Sequence, residues 1–429
     1  MRLFPVLFCI APFVAAAQGA NDLTITNVNV KIGDGRVLEG AAVTVTGGKI
    51  VAITGSTGIS ISSKVVIDGK GKFLYPGFID AYSTRLQKSA PEPKQEGRPD
   101  TNTAAPAFMW AGNRKGIYSD HSTASLLDFE KDSSAFENGI TTAFLAPSKG
   151  SIRGAGALVN LLPSTAKDRV LHSDGPFGLS YRSGSGEGYP SNILGVIALM
   201  RQVLADAKST AEGVDVGAPK DNQKALVDLG PLVTGKRPGV FEVNLDREIE
   251  RSSRIAAEFN FSFMIAGGRD AYKTIPLLTK AKAPVLLMVD YSDAPSIEPD
   301  KDTVAPADRT PVEFKLERYA RWKEQISAPV SLFQSGLQVA FSTGTSPGDF
   351  LKNVRVLIKN GLPVDDALKA MTINPAKIFG LDSQLGTIEV GKMANLVLMS
   401  GPMENETSKV EGLWIAGTPI VDPTKGGAK

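Results

Sequence analysis

The residues able to do chemistry are few, and the scarcest are the histidines: His121 and His172 are the only two in 429 residues. A metal centre of three or four imidazoles therefore cannot be assembled from one chain. The single cysteine, Cys9, excludes a disulfide framework and a thiolate cluster. His172 stands two residues before Asp174, and the pair could work as acid and base if buried. Further polar groups end apolar, strand-like runs: Tyr82, Asn244, Asp246, Arg269 and Thr345. Arg269 could grip a carboxylate bidentately, whereas Asp246-Arg247 reads as an ion pair or a helix cap. Catalysis through a nucleophile without a metal needs that nucleophile, a base and oxyanion donors in mutual reach. No such set can be assembled from these residues, so none is assigned a catalytic role. Ser180, Ser183 and Ser185 lack the Gly-x-Ser-x-Gly elbow, which argues against a serine hydrolase.

The elements that must hold these groups alternate. Strand candidates are 73–82, 139–147, 156–162, 239–245, 261–268, 283–290 and 337–344, each a short apolar run. Helical spacing lies between them, as in Ile193, Leu194, Ile197, Met200, Val203 and Leu204, and in Ile249, Ile255 and Ala256. Such alternation over some 300 residues predicts an α/β fold with a parallel sheet, and closure into a (β/α)8 TIM-like barrel fits the count. A doubly wound open sheet is the alternative. It would want a glycine fingerprint opening a helix, but Gly184–Gly188 runs straight into Tyr189-Pro190 and reads as a loop.

Both ends of the chain read differently. Leu23–Ile53 alternates apolar and polar residues around Gly33-Asp34-Gly35 and Gly47-Gly48, and Leu385–Met399 with Val410–Ile420 repeats the pattern. The expectation is one small composite β-sandwich from residues 21–73 and 382–429, with the barrel over 74–381. Two long loops, 85–125 and 291–311, would leave the C-terminal ends of strands, where barrels build their sites. Trp110, Trp322 and Trp414 read as core or interface anchors. Tyr319 and Trp322 share one face of a predicted helix over 312–326.

Met1–Ala20 reads as a cleaved signal peptide, with Arg2, an apolar run and Ala15-Ala16-Ala17. A periplasmic or extracellular destination follows. No later stretch reaches about 18 uninterrupted apolar residues, so no integral membrane segment is expected. With 47 Lys+Arg against 45 Asp+Glu, the chain has no basic excess for nucleic acid.

The segment Tyr75–Thr84, YPGFIDAYST, resembles the first barrel strand of the amidohydrolase superfamily. Val354–Met399 resembles its closing helices and the return to the β-sandwich. With 139–147 and the stretch around EVNLDR and IAGGRD, the likeness spans nearly the whole mature chain. It is nearest to the imidazolonepropionase-like branch, whose members hydrolyse C–N bonds in cyclic amides, dipeptides and related compounds.

The resemblance implies a His-x-His after the first strand, a His after each of two later strands and an Asp after the last. In active members these hold one or two divalent metals that lower the pKa of a bound water. Here the matching positions are Tyr82 and Thr84, then Asn244, Gly267 and Thr345. Asp80 reads as structural in that pattern. Every ligand is replaced, so the expectation is no metal and no cofactor.

The seven strand-end positions Tyr82, Thr84, Asn244, Asp246, Gly267, Arg269 and Thr345 remain candidates for ligand binding. The pattern resembles ligand-depleted members that accompany an active copy. Three functions follow as expectations: a silent companion of an active paralogue, or a homo-oligomer of that kind; a metal-independent hydrolase of C–N bonds; or a small-molecule binding protein using the barrel mouth.

Overall fold

The computed structural model describes residues 22–55, 63–91, 116–128, 132–163, 169–182, 189–218, 220–300 and 308–425. The segment 1–20, Trp110, Ser183, Ser185 and the glycines of 184–188 lie outside the described residues.

The two ends of the chain share one sheet. Its first strands are β1 (Leu23–Lys31), β2 (Val37–Thr46), β3 (Lys49–Thr54), β4 (Val65–Asp68) and β5 (Phe73–Pro76). Its last are β17 (Leu396–Met399), β18 (Val410–Ile415) and β19 (Thr418–Val421). The order is β19-β18-β17-β5-β1-β2-β3, with β4 also on β1, so the β-rich part is composite as the patterning predicted. Both ends feed one core: Ile25, Val28, Val43, Leu74, Leu396, Leu398 and Trp414 are all buried together. Each such fully buried aliphatic side chain contributes about 1.5–3 kcal/mol relative to exposure.

The intervening chain supplies two more sheets. One contains β6 (Phe78–Ser83), β8 (Ile140–Leu145), β10 (Ala157–Asn160) and β11 (Val170–His172). The other runs from β7 (Ile117–Tyr118) through β9 (Ile152–Ala155), β12 (Phe177–Ser180), β13 (Gly239–Val243), β14 (Phe263–Gly267) and β15 (Val285–Met288) to β16 (Val339–Ser342). Every predicted strand is present, and β12 to β16 pair in parallel, as do β6 and β8.

The prediction of a parallel sheet fails around β9, β10 and β11, and β10 and β11 pair antiparallel. β9 and β10 form a bent run broken at Gly156, and it pairs antiparallel with β8 on one side and with β12 on the other. Only residues 146–151 separate β8 from β9, too few for the dozen or so that a parallel crossover requires. The two sheets also meet at β6 and β16. There Ser83 and Gly344 form a parallel bridge, and the Gly344 N–H donates to the Tyr82 carbonyl at 3.0 Å.

Helices pack on the outer faces of the strands: α1 (Ile193–Ala211), α2 (Asp246–Phe259), α3 (Val312–Gln334) and α4 (Phe350–Lys359). Strand residues alternate accordingly. Phe241, Val243 and Ile265 meet the helices, while Val240, Ala266, Leu286 and Ala340 point inward with Ile79 and Phe144. In α1 the buried face is Val196, Leu199, Met200, Val203 and Leu204; Leu194 is exposed, contrary to the apolar pattern. The helix predicted over 312–326 continues to Gln334 through Pro329.

Candidate functional site

Strand β6 carries the first candidate into the interior. Tyr82 is 1 % exposed. Its hydroxyl donates to Oε2 of Glu242 on β13 at 2.8 Å. Arg153, on β9, is also buried; its Nη1 donates to the Tyr82 hydroxyl at 3.1 Å and to the same Glu242 oxygen at 2.7 Å. Its Nε donates to the Gly150 carbonyl at 3.0 Å. Arg182, itself largely exposed, reaches Oε1 of Glu242 at 3.3 Å. The inner face of the strands thus holds a phenol, a carboxylate and a buried guanidinium in one network.

The electrostatics follow from burial and pairing. Burial pushes the Glu242 carboxyl up, but Arg153, Tyr82 and Arg182 outweigh it and leave its pKa lowered. Burial opposes the charged form of Arg153, yet Tyr82 and Glu242 leave its pKa raised. Burial holds the Tyr82 phenol well above its ordinary value, with Arg153 opposing and Glu242 assisting. At neutral pH the network is therefore a guanidinium–carboxylate ion pair with a neutral phenol.

A second buried carboxyl lies on the same strand. Asp80 accepts from the Thr343 hydroxyl at 2.5 Å and from its backbone N–H at 2.9 Å. Arg85 approaches Asp80 at 3.9 Å and forms its main ion pair with Asp132. Burial raises the Asp80 carboxyl to about 6, against Arg85 and Thr343. It ties β6 to β16, in keeping with the structural role read from the sequence.

The remaining candidates divide into two groups. Thr84 lies beside the β6–β16 junction, its N–H donating to the Gly344 carbonyl at 3.1 Å; Thr345 follows that glycine and is exposed. Asn244, Gly267 and Arg269 meet at the ends of β13 and β14, where the Arg269 N–H reaches Oδ1 of Asn244 at 3.5 Å. Gly267 has φ +99°, and a Cβ there would lie 2.8 Å from both Asn244 Oδ1 and the Val243 carbonyl. Asp246 starts α2 and accepts only from the N–H of Arg247 at 2.8 Å. The helix start is capped instead by Glu248, which accepts from the N–H groups of Asn244 and Leu245. The reading of Asp246-Arg247 as ion pair or side-chain cap is corrected accordingly.

The acid–base reading of His172 with Asp174 is also corrected. His172 is exposed at the end of β11, and Asp174 pairs with Arg237 at 2.8 Å. His121 faces Asp120 at 3.9 Å, away from the inner network.

Arg153, Glu242 and Arg182 were not among the sequence candidates. The signal for two of them was present: a charge inside an otherwise buried strand, Glu242 in GVFEV and Arg153 in IRGA, needs an internal partner.

A divalent cation does not fit the positions assigned to metal ligands. The phenol at Tyr82 is committed to Glu242 and Arg153, Gly267 offers no donor, and Thr84, Asn244 and Thr345 are neutral oxygen donors. The buried guanidinium already places a positive charge beside them. Among the described residues, no three His, Cys, Asp or Glu side chains converge.

Comparison with known proteins agrees with this architecture. The family model described as the amidohydrolase family matches residues 320–421. The imidazolonepropionase of Sphingopyxis alaskensis is 33% identical over 107 residues, 23% of this chain and 27% of that protein. The match thus spans about a quarter of the length of such curated relatives. Among solved structures, an amidohydrolase from Thermotoga maritima superposes with a TM-score of 0.69 at 21% identity, over 93% of this chain and 99% of that one. A putative prolidase from Bifidobacterium longum gives 0.56 at 16% identity, over 96% of each chain. At these identities the structures establish the fold alone: a TIM-barrel-type fold with a β-rich domain. Residues 320–421 thus match the amidohydrolase family, and the whole chain shares the fold of solved amidohydrolases.

Proposed function

We propose that this chain is a secreted, catalytically silent amidohydrolase-superfamily protein that accompanies an active copy. In this reading β6, β8, the β9–β10 run and β12 to β16 close a TIM-like barrel over residues 74–381, with one strand reversed. Residues 21–73 and 382–429 make the β-rich domain, and residues 1–20 direct export.

The observation that carries the reading is the Tyr82–Arg153–Glu242 network. At Tyr82, where active relatives would need a neutral imidazole, the side chain is instead tied into an internal ion pair. A pocket emptied by random loss would leave buried polar atoms orphaned, whereas each member here is partnered. The preserved β-rich domain and closing helices support a role for the folded body itself. Metal-free hydrolysis is disfavoured, because the one carboxylate that Tyr82 donates to is held by two arginines, which lower its pKa and weaken it as a base.

The test is metal analysis of the chain purified after zinc exposure, together with co-purification from cells expressing a His-x-His amidohydrolase encoded beside it. The expected result is no stoichiometric zinc and retention of the active relative. One zinc per chain, or turnover of N-acyl amino acids or dipeptides abolished by a chelator, would overturn the proposal.

A further inference from the structure

A cavity of about 330 Å³ opens at the C-terminal ends of β13, β14 and β15, between them and α3. It is displaced from the Tyr82–Arg153–Glu242 network and shares no residue with it. Its lining includes Arg269, Asn244, Asp290 and Tyr291. Trp322, also in the lining, donates from its Nε1 to the Ser292 carbonyl at 2.9 Å. Leu287, Met288 and Leu332 supply apolar lining.

The charges decide what this cavity would take. Arg269 and Asp290 are both exposed, and neither has an ion-pair partner among the described residues. The contrast is a second cleft of about 460 Å³ near the start of β12, whose charges are already satisfied: Arg237 with Asp174 and Lys224 with Asp228. An unpaired cation and an unpaired anion in one concavity, with apolar lining between, match a molecule carrying the opposite two charges on a small apolar body. The volume is at the lower end of the roughly 300–1,000 Å³ typical of small-molecule sites and is ample for a single amino acid.

We propose that this cavity binds a free α-amino acid with an apolar side chain, its carboxylate on Arg269 and its ammonium on Asp290. The guanidinium fork suits a carboxylate bidentately, Asp290 accepts from the ammonium, and Trp322 with Met288 and Leu332 covers the side chain. The site stands whether or not the chain hydrolyses anything.

Calorimetric titration and thermal unfolding of the full chain with L-leucine and L-phenylalanine test this directly. Binding is expected with a ligand-dependent rise in Tm. Leucinamide, lacking the carboxylate, and N-acetyl-L-leucine, lacking the ammonium, should bind at least about tenfold more weakly. Arg269→Gln and Asp290→Asn should each weaken L-leucine similarly, and both are surface substitutions that leave the fold in place. Absence of binding by both amino acids, equal binding of N-acetyl-L-leucine, or unchanged affinity in Arg269→Gln would each overturn the assignment. Zinc content and turnover do not enter these outcomes, so this proposal and the silent-companion reading fail separately.

Discussion

Arg153 and Glu242 meet at 2.7 Å across β12, the strand that lies between theirs. Gly178 on β12 makes the crossing possible: a Cβ there would sit 3.0 Å from Cβ and Cδ of Arg153. A small residue on the middle strand thus lets a long cation reach an anion two strands away.

Breaking this pair on one side should be severe. Arg153→Met leaves Glu242 without its main partner, and removal of one member of a buried pair costs about 3–5 kcal/mol. The double substitution Arg153→Met with Glu242→Leu should recover much of that loss, because no uncompensated charge remains. Urea denaturation of the single and double variants measures both values; equal destabilisation in the two would mean that the charges are not coupled.

Asp80 sets a pH dependence. Its carboxyl is at about 6 in the folded chain against an ordinary 3.8, mainly through burial. A raised folded-state value favours folding while the group is protonated. The contribution is therefore complete below pH 3.8 and is lost as pH rises through about 6. Relative to Asp80→Asn, the wild-type chain should lose stability between these pH values and run parallel to it above. A stability difference that stays flat across the interval would refute the assignment.

Restoring imidazoles should not restore a metal site. A chain carrying Tyr82→His, Thr84→His and Asn244→His still holds the Arg153 guanidinium nearby, and Gly267 cannot become a fourth ligand without strain. Its φ of +99° disfavours any side chain, and a Cβ would press on the Val243 carbonyl. Titration against a chromophoric zinc chelator should show no stoichiometric uptake by the triple variant; one equivalent taken up would disprove the argument.

Gly154 makes a stricter demand. A Cβ there would fall 1.8 Å from the His121 carbonyl, a backbone atom with no rotamer to give way. Gly154→Ala should destabilise by about 1–3 kcal/mol, as overpacking does. Limited proteolysis should then cut sooner near His121, and an unchanged Tm would show that the loop yields freely.

Much of this architecture was legible from local pattern. Each apolar run predicted as a strand is one, and the hairpin signals at both ends place them in one sheet. The reversal at β9 and β10 was not legible from the runs themselves, because apolar content carries no direction. It was implicit in the short link 146–151. Phe177–Ser180 was missed because FGLS, four residues with a glycine, gives no period to detect. The candidate site divided along a similar line. Family resemblance marked Tyr82, yet its partners lie 71 and 160 residues away in sequence, and only folding brings them together. Arg269 was legible as a cation able to grip a carboxylate; Asp290 joins it in one cavity only once β14 and β15 are adjacent.

The terminal sheet also dictates when the molecule can be finished. β5 pairs with β1 on one edge and with β17 on the other, and it passes through Gly77 directly into the strand that bears Tyr82. During synthesis β5 waits with one edge bare for more than 300 residues of further chain. The first-made strands of the protein are sealed by the last-made ones, so a ribosome that stalls before residue 396 releases a chain with an open, adhesive border.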